Sequence, residues 1–230
     1  MMTKEKILMC WSGGKDSALA LYELQQSKQY EVAALLTTVT AAYERVSMHG
    51  VRRELLRRQA HSLGIPLCEV EISVKATNEE YETKMKETLL HYYQHGIRRV
   101  AFGDIFLEDL KRYREANLAK VGMTGIFPIW KRATTELIQT FIDLGFSAYA
   151  VCIDPKVLDP SFAGRALDRT FVKDLPKGVD PCGENGEFHS FVWQGPQFSY
   201  PVACTVGEKV LREGFWFCDL LPVDQMAKRA

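Results

Sequence analysis

Net charge is missing from this 230-residue sequence: 29 Lys and Arg balance 29 Asp and Glu. Such a chain offers no bulk attraction to nucleic acid or anionic lipid, so nucleic acid is not an expected partner. Long apolar runs are missing as well. No stretch approaches the roughly 18 residues a membrane span requires, and no membrane association is expected. The opening MMTKEKILMC has too few apolar residues before its glycines for a secretory signal and reads as a buried strand. The six cysteines (10, 68, 152, 182, 204 and 218) form no CxxC pair and no zinc spacing. Reduced thiols of a cytoplasmic protein are the expectation. There is no internal repeat and no low-complexity tract.

What is present is an ordinary globular composition, 47% hydrophobic and 25% charged, with a regular alternation in its first half. Apolar strand patterns at 6–11, 31–40, 66–73 and 98–104 are separated by helical patterns at 18–27, 51–63, 78–96 and 107–122. In 51–63, Val51, Leu55, Leu56, Ala60 and Leu63 form one stripe, with Gly64 as a stop signal. Strands separated by helices imply crossovers and a mostly parallel sheet. One further helix (134–145) and strand (147–154) continue the pattern. Proline- and glycine-punctuated segments then read as β-rich. The expected fold is α/β, a Rossmann-like parallel sheet with a smaller C-terminal α+β part. The expected domains are 1–128 and 129–230, with an active site in the cleft between them.

Between the first strand and first helix stands CWSGGKDS. A glycine turn opening a helix is an anion-binding device, because the first N–H groups of the helix lack intrahelical partners and carry partial positive charge. The Walker pattern does not fit, since Met9 and Asp16 occupy the places of its first glycine and its Ser or Thr. The dinucleotide pattern does not fit either, since Gly13 and Gly14 are adjacent. The segment Ser12-Gly13-Gly14-Lys15-Asp16-Ser17 does match the PP-loop, SGGxDS, at every position.

It therefore resembles the ATP pyrophosphatase superfamily. That resemblance implies an ATP site in which the loop grips the β,γ-pyrophosphate and leaves the α-phosphorus open to attack. Loop amides and Lys15 would stabilise the departing pyrophosphate, with Mg²⁺ near Asp16. Three later segments narrow the resemblance: GDIFLEDLKRYRE, the FPIW that follows, and DPCGENGEFHSFV. Together they resemble the diphthine–ammonia ligase family, which amidates diphthine on translation elongation factor 2. In that family the last motif commonly runs Gly-Glu-Gly-Gly-Glu-Tyr-Glu-Thr. Here it is Gly183-Glu184-Asn185-Gly186-Glu187-Phe188-His189-Ser190, and the departure resembles the bacterial branch.

The resemblance implies an ATP-dependent, AMP- and pyrophosphate-forming ligase. Its expected partners are ammonia or an amine and a small-molecule or protein-borne carboxylate, with a homodimer as an admissible assembly. The expected catalytic residues are Lys15, Asp16, Glu184, Glu187 and His189. The nucleotide is assigned to Ser12, Gly13, Gly14, Lys15, Asp16, Ser17, Thr37, His49, Gly103 and Asp104, and the metal to Asp16.

On their own physics, Asn185-Gly186 favours a tight turn, with Glu187 and His189 sharing one face of the strand leaving it. Asp104 reads equally as a phosphate or metal neighbour and as a cap of the helix at 107–122. Cys182 shows nothing nearby that would stabilise a thiolate. Arg52, Arg53, Arg57 and Arg58 read as a solvated helix face. Two rivals stand beside the ligase. A non-catalytic nucleotide sensor shares the fold. A reductase of adenylylated sulfate shares SGGKDS, but Cys218 lies in Phe-Cys-Asp-Leu rather than a Glu-Cys-Gly context.

Overall fold

In the computed structural model, residues 3–40, 45–46, 50–74 and 76–224 are described. Packing divides the chain into two compact units, neither of them a single stretch. One holds Met1–Ser12, Asp16–Ser47 and Ile65–Arg132; the other holds Gly13–Lys15, Met48–Gly64 and Ala133–Ala230.

The first unit is built on five parallel strands: β1 (Glu5–Cys10), β2 (Tyr30–Thr40), β4 (Leu67–Ile72), β5 (Arg99–Ala101) and β6 (Thr124–Ile126). Their order is β4-β2-β1-β5-β6, and a two-residue strand β3 (Arg45–Val46) runs antiparallel on β2. Helix α1 (Lys15–Ser27) follows β1, α3 (Asn78–Gln94) precedes β5, and α4 (Glu108–Ala119) precedes β6. The chain builds the sheet outward from β1 through β2 to β4, then returns to the other side of β1 with β5 and β6. The carboxyl ends of β1 and β5 therefore flank a topological switch point, where open α/β sheets receive ligands.

Burial explains why the apolar runs become strands. Ile7, Leu8 and Met9 in β1 are wholly buried, as expected for a strand covered on both faces. Leu8, Leu36, Val100 and Phe102 pack with Leu89 of α3 and Leu118 of α4 in one core cluster. The α/β class expected from the sequence is the class observed. Two local details differ. Helix α1 begins at Lys15 rather than Ala18, so the loop lysine is already helical. Strand β5 is three residues, not seven, and β6, also three residues with a central glycine, carries too little pattern to read from sequence.

The second unit holds an antiparallel sheet of β7 (Ser147–Ile153), β8 (Phe188–Gln194), β9 (Cys204–Arg212) and β10 (Phe215–Pro222), ordered β8-β7-β10-β9. Helices α2 (Arg53–Leu63), α5 (Thr134–Asp143) and α6 (Arg169–Asp174) belong to it. Helix α2 stops at Gly64, which takes a left-handed cap at φ 67°, as the sequence signal requires. Phe171 meets Phe162 and Phe188 edge-on at 5.3 and 5.2 Å between ring centres. This aromatic cluster anchors the start of β8. Because β8 is an edge strand, its outer backbone groups need partners from outside the sheet.

Candidate functional site

Beyond Cys10 the chain keeps one ladder bond, Trp11 N–H to Leu36 O at 2.8 Å. It then turns through Ser12, Gly13 and Gly14 into α1. Gly13 is left-handed at φ 78°, and the Ser12 and Ser17 hydroxyls lie 3.2 Å apart. Lys15 and Ser17 are buried while Asp16 is half-buried. The thirteen-residue α1 directs its amino end into this turn, so partial positive charge and the Lys15 ammonium converge there.

The exit of β5 touches the same place. A Cβ on Gly103 would stand 2.8 Å from the Asp16 carbonyl carbon and 2.9 Å from the Ser17 nitrogen. Both are backbone atoms that cannot yield, so only glycine lets the two segments meet. Next in the chain, Asp104 forms an ion pair with Arg114, whose Nη2 donates to Oδ1 at 3.1 Å while its Nε lies 2.6 Å from Oδ2. The Arg114 guanidinium also lies 4.6 Å over the Phe102 ring. Asp104 does not cap α4, whose N-cap residue Leu107 makes no side-chain bond. On α4, Arg114 turns toward Asp104. Arg112 pairs with the exposed Asp109, and Glu115 stands 3.5 Å from Lys111.

Burial pushes the neighbouring Cys10 thiol up to about 12, against the opposing effect of Arg114, so it is a neutral packing group. Arg114 also lines a cavity of about 430 Å³ between α3 and α4, walled by Tyr81, Met85, Leu89, Phe102 and Leu118. Nothing in the sequence pattern announced that cavity.

In the second unit, the segment GENGEFHS is a self-bonded loop leading into β8. Gly183 takes φ 66°, and a Cβ there would meet the Phe188 carbonyl oxygen at 2.6 Å, so the turn requires glycine. The Glu187 carboxylate is buried and committed to that turn. Its Oε1 accepts from Asp180 N–H and from the Asn185 side-chain amide, each at 3.0 Å, and its Oε2 accepts from Asn185 N–H at 2.9 Å. Burial works to raise its pKa, but these donors outweigh it and hold the carboxyl below the usual range. Asp180 organises the same loop by accepting from Cys182 N–H and Glu184 N–H and from the Thr134 hydroxyl. Cys182 is buried with its thiol donating to Thr134 O at 3.3 Å, a packing arrangement. Glu184 is half-buried on the same turn.

Loop and strand meet directly. Lys15 N–H donates to Ser190 Oγ at 3.1 Å, and Val192 N–H on the outer edge of β8 donates to Gly13 O at 2.9 Å. The Lys15 ammonium lies 5.5 Å from the centre of the Phe188 ring. His189, beside it, is pushed down to about 4 by burial and by the Lys15 charge, so its imidazole is neutral near pH 7. The glycine turn and the GENGEFHS strand, far apart in the chain, are thus hydrogen-bonded neighbours.

Helix α2 supplies what sequence reasoning missed. Gln59 and Ser62 sit on its buried stripe beside Leu55, Leu56 and Ala60. Gln59 Nε2 donates to Gly13 O at 3.0 Å and to Val192 O at 2.5 Å. Ser62 donates to Tyr200 O at 2.5 Å and accepts from Tyr200 N–H at 3.2 Å. A polar residue at a stripe position was the available signal, since buried polar groups are hydrogen-bonded. Two of the four arginines are also committed to structure. Arg52 forks onto Asp219 at 3.0 and 2.7 Å, and Arg58 reaches Val223 O at 2.6 Å. Thr37 is buried inside β2, which runs on to Thr40, and it faces Glu69 of β4 in register. His49 lies outside the described residues.

A parallel sheet with a glycine turn and helix amino end at its switch point, in a chain that also holds a smaller antiparallel unit, defines the PP-loop class of α/β proteins. Residues 5–125 match the family model described as diphthamide synthase N-terminal domain, and residues 133–222 match diphthamide synthase C-terminal domain. The chain belongs to the diphthamide synthase family. It is similar to diphthine–ammonia ligase of Bos taurus, 26% identical over 145 residues, covering 60% of this chain and 54% of that protein. Over 147 residues it is 25% identical to diphthine–ammonia ligase of Homo sapiens, covering 61% and 55%. The diphthine–ammonia ligase of Schizosaccharomyces pombe matches at 23% over 225 residues, covering 89% of this chain and 37% of that protein. The chain thus spans about half the length of the mammalian relatives it matches.

Proposed function

We propose that this chain is an ATP-dependent ligase that adenylates a carboxylate and passes the acyl group to ammonia or an amine. The observation that carries the reading is the pair of bonds from Gly13 and Lys15 to β8, which brings a polyphosphate-binding turn against a strand bearing an imidazole. Gly14, Lys15, Asp16 and Ser17 would hold the β,γ-phosphates, with Gly103 packed against the backbone of Asp16 and Ser17. An acceptor carboxylate oxygen bonds to the α-phosphorus and the bond to pyrophosphate breaks. The nitrogen lone pair then attacks the acyl carbon, AMP departs, and one proton leaves the nitrogen.

Asp16 offers one carboxylate, and among the described residues no cluster of three or more His, Cys, Asp or Glu could hold a metal. That donor set fits Mg²⁺, which takes one or two carboxylates and completes its shell with phosphate and water. Mg²⁺ would supply charge neutralisation for the phosphates. His189, held neutral by burial and the Lys15 charge, is the residue that would accept a hydrogen bond from the attacking amine. Glu187 serves by shaping the turn that presents His189. The similarity to diphthine–ammonia ligases makes a diphthine-like carboxylate the first acceptor to offer. Among the described residues no helix is long and apolar enough to cross a membrane.

The test is the nucleotide product. Incubated with Mg-ATP, ammonium and a diphthine-bearing acceptor, the protein should release AMP and pyrophosphate. ADP and phosphate would overturn the reading, and tight ATP binding without turnover would favour a nucleotide sensor.

A further inference from the structure

We propose that Gln59 is a positioning residue for the nucleotide turn, fixing the orientation of the Gly13–Gly14 peptide so that the turn can accept a triphosphate. The inference rests on the ATP reading above. The Gln59 side chain is wholly buried, and its amide group spends two donors on two carbonyls, Gly13 O and Val192 O. Gly13 O in turn accepts from Val192 N–H. Gly13 O, Val192 N–H, Val192 O and the Gln59 amide thus close a ring of three hydrogen bonds, with both lone pairs of Gly13 O engaged.

The consequence follows from peptide geometry. In a planar trans peptide the C=O of Gly13 and the N–H of Gly14 point in opposite directions. Holding Gly13 O onto β8 therefore directs Gly14 N–H away from β8. The β8-facing amide of Lys15 is already taken by Ser190, so phosphate oxygens must approach from the other side, which is the side Gly14 N–H faces. Without Gln59 the Gly13 carbonyl keeps only the Val192 N–H bond, and the peptide can tilt its negative end toward the phosphates, which repels them. The packing is close enough to enforce this: a Cβ on Gly13 would lie 2.7 Å from Gln59 Oε1 and 3.0 Å from Leu56 Cδ1. Gln59 touches no substrate and acts only through the turn.

The experiment compares wild type with Gln59→Met, which keeps length and volume but has no donor. Binding of α,β-methylene-ATP and of AMP is measured by calorimetry, with melting temperature as the check on folding. Affinity for α,β-methylene-ATP should fall about tenfold, as for loss of oriented hydrogen bonds, while affinity for AMP changes less than twofold. Equal losses for both nucleotides, or no loss for either, would overturn the positioning role. Wild type that binds neither nucleotide would overturn the ATP reading itself, and this inference with it. If Gln59→Met does not fold, the wild-type Gln59 side-chain amide resonances provide the readout. They should shift on adding α,β-methylene-ATP but not AMP, and a shift with neither or with both contradicts the proposal.

Discussion

The backbone N–H of Lys15 donates to the Ser190 hydroxyl at 3.1 Å across a separation of 175 residues. One of the helix-terminal donors expected to meet a ligand is therefore already satisfied by the protein, and the turn is shaped before any nucleotide arrives. Ser190→Ala should leave that buried N–H without its acceptor. The expected cost is about 1–2 kcal/mol, read as a lower melting temperature, together with an ATP Kd raised about tenfold. Unchanged ATP affinity in a folded variant would mean the contact is incidental.

His189 makes the clearest pH prediction. Its pKa lies near 4 in the folded protein, against about 6.5 when unfolded. Between those values the unfolded chain binds the extra proton and the folded one does not. Stability therefore falls as pH drops through 6.5 and levels off below 4, by at most about 3 kcal/mol. Denaturant titrations from pH 7.5 to 4 should show the slope, and His189→Gln should lack it. Bound triphosphate would offset the Lys15 charge, so the His189 resonance should titrate at higher pH with α,β-methylene-ATP present than without it.

For Glu187 the expectation is structural before it is chemical. Glu187→Gln replaces an oxygen that accepts N–H bonds by an amide that cannot accept them. The loop from Asp180 to Glu187 should then exchange its amide hydrogens faster, with a loss of about 1–3 kcal/mol in overall stability. Because the native carboxyl is held below its usual pKa, its contribution is present above the unfolded value near 4.3 and lost as pH falls through the folded value. The variant should lack that acid-side loss.

Asp104 and Arg114 test whether the exit of β5 is held by charge. Arg114→Met strands a carboxylate that is 8% exposed, and the expected loss is about 3 kcal/mol. Asp104→Asn combined with Arg114→Met should recover part of that loss. Additive losses in the double-mutant cycle would show that the two side chains do not act as a pair.

Much of this was readable from the chain, for definable reasons. Period and glycine punctuation exposed β1, β2, β4 and helices α2 to α5, because their buried faces recur at fixed spacing. The turn was readable because six consecutive residues match one loop pattern at every position, with Gly13 taking the left-handed backbone that glycine favours. Strand β6 was not, since three residues cannot show a period. Spacing placed Gln59 on the buried stripe of α2 but could not reveal that it reaches Gly13, because that contact depends on how α2 packs rather than on its own pattern. The roles of Glu187 and His189 divide only in three dimensions. Two residues apart in the motif, one is consumed by the turn and the other feels the Lys15 charge.

Attack of the acceptor carboxylate on the α-phosphorus leaves an isotopic trace. With ¹⁸O placed in the carboxylate of diphthine, and ammonium and Mg-ATP supplied, one ¹⁸O per turnover should appear in the phosphate group of AMP. Label in inorganic phosphate with ADP as the nucleotide product, or unlabelled AMP, would rule out attack of the carboxylate on the α-phosphorus.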